Sequence, residues 1–241
     1  MKIACVSDTH GMWQRKSEAN PSGIEYPEAD VLILAGDILA NYSRERTYDA
    51  NLQLKEVEKL DDHFSELKSD GLYDEIVLIA GNHDFCYQKN AIKTQALILN
   101  AHYLQDSQVE LSGVKFWGSP WQPWFWDWAF NFPNHYENPA QARAHARGIW
   151  GLIPDDTNVL ITHGPQQGIL DRTASGMVVG CQYLRDRINE LDLKLHVFGH
   201  IHESYGQKSL NGLTKEFISV NASACNLRYK PVNPIQVVEI K

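Results

Sequence analysis

The sequence predicts an α/β fold in which short buried strands alternate with amphipathic helices. Six apolar runs rich in Val and Ile are bounded by Gly, Asp or Asn, a pattern typical of strands covered on both faces. The predicted strands are residues 3–6, 31–35, 76–80, 159–162, 196–198 and 217–220. This order of elements favours a sheet with helices packed on its faces.

Three segments between these strands have the features of helices. Residues 47–69 carry apolar side chains at close to helical spacing. Residues 139–150 are rich in Ala and Arg and begin with Pro139, which fits a first helical turn. Residues 180–191 place their leucines and Ile188 on one face. No internal repeat or linker divides the chain, so we expect a single domain over residues 1–241.

Composition excludes several classes of protein. The 241 residues carry a net charge of -8, which opposes binding to duplex nucleic acid. The chain lacks an apolar run of membrane-spanning length, and its N-terminus is not typical of a signal peptide because a short apolar run is followed at once by Asp8. The four cysteines have no CxxC spacing, which predicts free thiols and a cytoplasmic location.

Metal-binding residue types follow five of the six predicted strands. An Asp-x-His follows the first strand, a Gly-Asp the second, a Gly-Asn-His-Asp the third, a His-Gly the fourth and a Gly-His-x-His the fifth. In open α/β sheets, ligand sites form beyond the carboxyl ends of the strands, so we expect these side chains to meet. The predicted ligands are Asp8, His10, Asp37, Asn82, His163, His200 and His202.

Each motif alone also has a structural explanation. Gly-Asp is common in turns, and Asn-His-Asp is typical of a helix N-cap. His163 alone is compatible with a buried core histidine. Gly-His-x-His is more specific, because alternate residues of an extended segment face the same side. The five motifs together, each at the end of a strand, favour a metal centre.

The set of motifs resembles the signature of the calcineurin-like metallophosphoesterases over residues 8–202. Segments 118–123, 162–165, 198–203, 221–223 and 229–234 resemble the metallophosphoesterase-domain (MPPED, or 239-type) branch of that superfamily. The resemblance implies a four-layer αββα sandwich, in which two mixed β-sheets are flanked by helices. It also implies a hydrolase that cleaves phosphodiesters with two divalent metal ions.

The resemblance further implies a role for each motif residue. The first metal ion is expected to bind Asp8, His10 and His202. The second is expected to bind Asn82, His163 and His200. Asp37 is expected to bridge the two ions, and His83 to face the substrate as a catalytic residue that does not bind metal. Asp84 is expected to accept the other N–H of the His83 ring and to fix its tautomer.

Elementary electrostatics supports this assignment. Two divalent ions carry four positive charges, and Asp8 and Asp37 return only two, so the centre attracts a phosphate although the chain is acidic. A water bound to such ions has its pKa lowered toward about 7, which makes hydroxide available as the nucleophile. Protonated His83 is placed to act as the acid for the leaving oxygen. Mixed N and O ligands suit Mn, Fe, Zn, Co or Ni, of which we favour Mn.

An aromatic segment, residues 117–136, has two interpretations. Aromatic side chains dominate the burial of cores, which predicts packing. They also stack on nucleobases and aryl groups, which predicts substrate contact. Under the second interpretation, Trp121 and Trp124 are the candidate substrate-binding residues.

The chain lacks motifs that other branches of the superfamily share, which narrows the range of substrates we expect. Protein Ser/Thr phosphatases have an Asp-Arg-Gly motif downstream of the Gly-Asp, and this motif is missing after Asp37. Purple acid phosphatases have a Tyr where this chain has Ala40, and a Gly where it has His10. DNA-repair nucleases of this superfamily have basic surfaces, unlike this chain. We therefore expect a small phosphodiester, such as a cyclic nucleotide, as the partner, with no duplex nucleic acid and no membrane. The alternatives are a nucleotidase-like phosphomonoesterase and a metal-binding scaffold with little activity.

Overall fold

A computed structural model describes residues 1–40 and 50–241 of the chain. Within these ranges, eleven strands and five α-helices form two mixed sheets with helices on their outer faces. Residues 47–49 of the first predicted helix lie outside the described residues. Every one of the six strands predicted from the sequence is present, with ends that differ by at most one residue.

The first sheet has five strands in the order β11-β1-β2-β3-β4. Its strands are β1 (Lys2–Val6), β2 (Val31–Ala35), β3 (Glu75–Ile79), β4 (His102–Tyr103) and β11 (Gln236–Glu239). Strands β1 to β4 are parallel, and β11 pairs with β1 in the antiparallel direction. The carboxyl ends of β1, β2 and β3 therefore lie side by side at one edge of this sheet.

The second sheet has six strands in the order β5-β6-β7-β8-β10-β9. Its strands are β5 (Ser107–Leu111), β6 (Val114–Ser119), β7 (Val159–Thr162), β8 (Leu195–Phe198), β9 (Gly206–Asn211) and β10 (Glu216–Asn221). Strands β6, β7, β8 and β10 are parallel, while β5 and β9 are antiparallel edge strands. The sequence did not predict β4, β5, β6, β9 or β11.

The helices cover the two outer faces. They are α1 (Ala50–Ser69), α2 (Phe85–Lys89), α3 (Ala91–Gln95), α4 (Pro139–Trp150) and α5 (Gln182–Ile188). Helix α4 begins as its sequence predicts: Pro139 lies in the first turn, and the Asn138 side chain accepts a hydrogen bond from the Gln141 N–H. Helix α5 is shorter than the predicted segment 180–191.

The apolar residues form three layers of core, which give the four-layer sandwich implied by the resemblance. Between the sheets, Ile3 and Ile33 from the first sheet pack with Ile161 and other residues of the second. Alternate strand residues face outward, and those of the first sheet pack on α1. The outer face of the second sheet packs on α4 and α5. The expected αββα architecture is confirmed.

Two further observations concern the expectations drawn from composition. All four cysteines are buried free thiols, as their spacing predicted. Among the described residues, the helices are too short or too polar to cross a membrane.

Ile33 tests how strongly the core between the sheets stabilises the fold. Its side chain is fully buried in that layer, so Ile33→Ala removes apolar contacts and leaves a cavity. We expect the free energy of unfolding to fall by about 2–5 kcal/mol, measured by urea denaturation. The control is Leu99→Ala, because Leu99 is 81% exposed and its truncation should change stability by no more than about 0.5 kcal/mol. Equal losses in the two variants would contradict the assignment of the core.

Candidate metal centre

The predicted ligands meet where the carboxyl ends of strands from both sheets come together. The Asp8 N–H donates to the Gly36 carbonyl at 2.9 Å, which joins the loops after β1 and β2. The Gly199 N–H donates to the His163 carbonyl at 2.9 Å, which joins the loops after β7 and β8. The Ser7 N–H donates to the Ala222 carbonyl at 2.9 Å and links the two sheets. One edge of the sandwich therefore collects all five motifs.

Four of the predicted ligands have a strained backbone. The φ angles of Asp8, His10, Asp37 and His200 are 53°, 45°, 53° and 68°, in the left-handed region that L-residues rarely adopt. Such residues cost on the order of 1–3 kcal/mol each and persist only where the surrounding structure fixes them. Their concentration at one edge indicates that the conformation serves the site.

The first group of ligand atoms comes from Asp8, His10 and His202, which lie within 4.8 Å of one another. The His202 Nε2 is 3.1 Å from Asp8 Oδ1 and 3.3 Å from the His10 Nε2. The His202 Nδ1 donates to the Asn226 carbonyl at 3.1 Å, which leaves the Nε2 lone pair directed at the other two side chains. This is the set expected for the first metal ion.

The second group comes from Asp37, His163 and His200, whose ligand atoms also lie within 4.8 Å. The His163 Nδ1 donates to the Ala35 carbonyl at 3.0 Å, so its Nε2 faces the site. That Nε2 is 2.9 Å from Asn82 Oδ1, which brings two acceptor atoms together. A proton or a cation must lie between two such acceptors. The arrangement matches the set expected for the second metal ion.

Asp37 lies between the two groups. Its Oδ1 accepts the His83 backbone N–H at 2.7 Å, which fixes the carboxylate. Its Oδ2 is 3.4 Å from the His163 Nε2 and 4.0 Å from the His10 Nε2, so one oxygen serves both groups. The His83 Nε2 is 3.7 Å from the same oxygen. A shared carboxylate oxygen is the geometry needed to bridge two cations.

The two carboxylates stay ionised in spite of their burial. Burial acts to raise the pKa of Asp8 and of Asp37, because it penalises the charged form. The attraction of His202 for Asp8, and of His163 for Asp37, outweighs burial and lowers the pKa of each carboxyl below its ordinary value. Two negative charges are therefore fixed at this edge.

Protons balance these charges when no metal is bound. Burial acts to lower the pKa of His163 and His202, but Asp37 and Asp8 respectively prevail and raise the pKa of each imidazole to about 9. Burial lowers the pKa of His200 to about 3. A metal ion must therefore displace protons from His163 and His202.

The donor set fits a pair of divalent cations. Two ionised carboxylates, four imidazoles and one amide oxygen converge, and such mixed N and O ligands suit Mn, Fe, Co, Ni or Zn. The nearby His83 forms a third close group with His10 and Asp37, so it borders the first site. The residues present are those needed to hold two ions.

The C-terminal segment supports the centre with residues that sequence reasoning did not assign. The Ser223 hydroxyl donates to Asp8 Oδ2 at 2.9 Å, and the His200 backbone N–H donates to the same oxygen at 2.9 Å. A Cβ at Gly199 would overlap the Asp8 carboxylate, which explains the glycine of Gly-His-x-His. The segment 221–223 was noted only as part of the resemblance, and no periodicity marks Ser223.

Asp84 has contacts that differ from the role expected for it. Its carboxylate accepts the backbone N–H groups of Gly81 at 2.8 Å, Leu39 at 3.0 Å and Ile38 at 3.3 Å. Burial, followed by repulsion from Asp37, raises the pKa of Asp84 to about 7. These bonds tie the loop after β2 to the loop after β3, so the Asp84 carboxylate holds the two loops together; its role in orienting the His83 ring stays a prediction.

The two tryptophans proposed as substrate-binding residues have different positions. Trp121 does not line the cavity beside the metal centre: its indole N–H donates to Asp106 Oδ2 at 3.0 Å, and its ring stacks on Phe132. Trp124 does line that cavity. Trp128, which was not proposed, also lines it, and its ring centroid is 4.0 Å from that of His83. Trp128 therefore joins Trp124 on the wall of the cavity, and substrate binding by Trp121 and Trp124 stays a prediction.

The cavity has a volume of about 1060 Å³ and reaches the metal centre. Its lining includes Asp37, Asn82, His200 and His202, together with His83. Tyr229 from the C-terminal segment lines it as well, with its ring edge-on to His10 at 4.6 Å between centroids. A ligand of nucleotide size can therefore reach the predicted ligands.

Proton release tests the charge balance of the centre. We expect the addition of Mn²⁺ at about pH 7 to release about two protons per chain, because His163 and His202 must become neutral to bind metal. As the pH increases through about 9, the pKa of His163 and His202, the two imidazoles lose their protons before metal binds. The number of protons released by the metal should then fall, and the metal affinity should rise. An indicator dye in weak buffer measures the protons. Metal binding without proton release near neutral pH would contradict the charge balance.

Ser223 tests the support of Asp8. We expect Ser223→Ala to lower metal affinity about 10–100-fold, because the Asp8 carboxylate loses a hydrogen bond that orients it. The matched control is Ser219→Ala: Ser219 is also fully buried, and its hydroxyl has no hydrogen-bond partner within the described ranges. Calorimetric titration with Mn²⁺ measures both variants. A Ser219→Ala variant that loses as much affinity would show that the effect is not specific to Asp8.

Comparison with known proteins agrees with this site. The profile of the family described as calcineurin-like phosphoesterase matches residues 1–204. Human metallophosphoesterase domain-containing protein 1 is 37% identical over 265 residues, which cover 99% of this chain and 71% of that protein. A UPF0046 protein of Caenorhabditis elegans is 32% identical over 240 residues, covering 94% of this chain and 70% of its own length.

A solved structure shares the fold. Phosphopantetheinyl hydrolase from Mycobacterium tuberculosis superimposes with a TM-score of 0.56 over 98% of this chain and 95% of that chain. The two sequences are 14% identical, so this likeness concerns the fold alone. The profile match and the identity to the human protein establish that the chain belongs to the calcineurin-like phosphoesterases, a family of metal-dependent hydrolases that act on phosphoric esters.

Proposed function

We propose that this chain hydrolyses phosphodiesters, with cyclic nucleotides and similar small diesters as its substrates. The observation that carries the proposal is the position of Asp37 Oδ2, which is shared by two groups of metal ligands beside a cavity lined by aromatic residues. Through this oxygen Asp37 would help to hold two cations, and two cations would supply the charge that stabilises an in-line displacement at phosphorus.

Seven residues would hold the two ions, for which we propose Mn²⁺. They are Asp8, His10, Asp37, Asn82, His163, His200 and His202. When bound, the ions supply positive charge for the phosphoryl oxygens and lower the pKa of a coordinated water. The surrounding residues keep the carboxylates oriented, and the excess of positive charge attracts an anionic substrate to an otherwise acidic chain.

We assign His83 the role of proton donor to the leaving oxygen. Its ring lies beside the bridging carboxylate and packs on Trp128, and it lines the cavity. Burial lowers the pKa of His83, and the Asp37 carboxylate opposes that shift. An anionic substrate acts in the same direction as Asp37, so His83 gains its proton most readily in the substrate complex.

The charge of the cavity favours a diester over a monoester. Among the described residues that line it, Arg143 is the one lysine or arginine, and it is exposed. A phosphomonoester carries up to two negative charges and gains from several cationic side chains, whereas a diester carries one. Trp124 and Trp128 offer ring faces to a base or aryl group near the centre.

A panel of substrates tests the proposal. The purified chain is loaded separately with Mn²⁺, Fe²⁺, Co²⁺, Ni²⁺ and Zn²⁺ and assayed on 2′,3′- and 3′,5′-cyclic nucleotides, an aryl phosphodiester and nucleoside monophosphates. We expect Mn²⁺-dependent turnover with higher kcat/KM for diesters. Preference for monophosphates would support the phosphomonoesterase, and metal binding without turnover on any ester would support the scaffold. Either result would overturn the proposed function.

His83 is tested by the dependence on the leaving group. We expect His83→Ala to retain metal and to lose about 10²–10⁴ in kcat on a cyclic nucleotide, whose alkoxide leaving group needs a proton. The loss on bis(p-nitrophenyl) phosphate should be far smaller, because nitrophenolate leaves without protonation. The control is His102→Ala, because His102 lies in β4 and pairs with Glu75 away from the cavity. Equal losses on the two substrates would remove the assignment as acid.

A further inference from the structure

We propose that the cavity holds a hydrocarbon substituent of the diester in an apolar slot formed by residues of α4, of the segment before α5 and of the aromatic segment. The slot is defined by its floor (Phe132, Ala142, Ala146 and Cys181) and by Met177 and Val178 at its rim. The inference rests on the proposed function, since the same cavity contains the metal ligands, and it specifies the chemistry of the second ester group.

The floor of the slot is buried and built from small or apolar side chains. Phe132, Ala142, Ala146 and Cys181 are 4%, 7%, 1% and 4% exposed, and all four line the cavity. Ala142 and Ala146 belong to α4, and Cys181 precedes α5. Small side chains at these positions extend the cavity into the helical layer, where an apolar ligand group would be shielded from water.

The rim of the slot is apolar although it faces solvent. Met177 and Val178 are 61% and 43% exposed, and Phe125 and Tyr136, which also line the cavity, are 52% and 78% exposed. Adjacent exposed apolar side chains around a concave surface mark a ligand or interaction site. Their continuity with the metal centre points to the substrate as the occupant.

The rim is held in place by residues next to the metal ligands. Met177 and Val178 belong to a small hairpin in which Arg172 pairs with Val178 in the antiparallel direction. The Glu203 carboxylate, directly after His202, accepts the Ala174 N–H at 2.6 Å. At the other end, Asp171 Oδ2 accepts the N–H groups of Gly168 and Gly180 at 2.8 Å and 3.0 Å. The hairpin is therefore a fixed wall of the site.

The chemistry of the floor favours a hydrocarbon over a nucleobase. The edge of a buried base needs hydrogen-bond partners, because unpaired polar groups are costly to bury. The four floor residues offer only the Cys181 thiol, which already accepts the Trp150 indole N–H at 3.3 Å. A base can stack on the partly exposed Trp124 ring, whereas an alkyl group can fill the slot.

The charges of the cavity suit an amphiphilic diester. The metal centre would attract the phosphate, and the four floor side chains of the slot carry no charge. Arg143, the charged neighbour of Ala142 that also lines the cavity, is exposed and keeps its contact with water. A diester with one alkyl or acyl-bearing substituent matches both the metal centre and the slot. A compact monoester would leave the slot unfilled.

A chain-length series tests the slot. The Mn²⁺-loaded chain is assayed on p-nitrophenyl alkyl phosphates from methyl to octyl, with 2′,3′-cyclic AMP in parallel, and calorimetry measures the binding of the matching n-alkyl phosphates. We expect kcat/KM and affinity to rise about three- to fourfold per methylene over the first members of the series, because each CH₂ leaves water. Hydrolysis that is independent of chain length would overturn the slot but leave the proposed function standing.

Failure of the proposed function can be told apart from failure of the slot. If none of the diesters were hydrolysed, the calorimetric series alone would decide: affinity that rises with chain length supports the slot, and affinity that does not overturns it.

Two variants localise the effect. Ala142→Leu fills the floor and should flatten the dependence on chain length. Val178→Ser acts at the exposed rim, where folding is not at risk, and should also reduce the slope. Leu213→Ser is the matched control, because Leu213 is 60% exposed and lies outside the cavity. An unchanged slope in both slot variants would place the alkyl group elsewhere and overturn the inference.

Discussion

The burial of Asp8 and Asp37 is the constraint on which the rest of the site depends. Ionised carboxylates removed from water are strongly destabilising unless positive charge faces them. His163 and His202 supply that charge as protons, and divalent ions supply it when they replace those protons. This edge of the sandwich is therefore stabilised either by the protons on His163 and His202 or by divalent metal ions. Metal binding is coupled to the pH for this reason, and it is coupled to the stability of the fold as well.

Six of the parallel strands were predictable because burial on both faces makes their sequences nearly continuously apolar. Strand β2 is buried at every position, and its run was found with the same ends that the structure has. Strands β5 and β9 were missed because they lie at the edges of the second sheet and are mostly exposed. Strand β4 has only two residues, too few for any pattern. Strand β6 lies inside the second sheet, but it was missed because Lys115 and the final Gly118 and Ser119 interrupt its apolar run. Local patterns therefore reveal continuously apolar strands and overlook edge strands and interrupted ones.

The ligand set was predictable for a related reason, since a parallel strand ends where its sheet presents a site. The supporting residues were not. Ser223 reaches Asp8 because the C-terminal segment passes beside β1, a contact that depends on tertiary structure and leaves no spacing in the sequence. The aromatic segment has an irregular backbone, so its side chains do not alternate with a helical or strand periodicity. The sequence therefore could not show that Trp121 packs on Phe132 while Trp128 packs on His83. Composition identified the segment but could not orient its rings.

The division of the cavity follows from the two-sheet architecture. Charged ligands collect where loops from both sheets meet, because the apolar layer between the sheets excludes them from the interior. The helical layer over the second sheet contributes the buried Ala142 and Ala146 to the cavity, so the floor of the slot is apolar although the exposed Arg143 also lines the cavity. The hairpin that carries Met177 is bonded to Glu203, the neighbour of His202, so a change in the rim is transmitted by short contacts to a metal ligand. Binding energy gained in the slot can therefore position the phosphate, because the hairpin wall is hydrogen-bonded through the Glu203 side chain to the segment that carries His200 and His202.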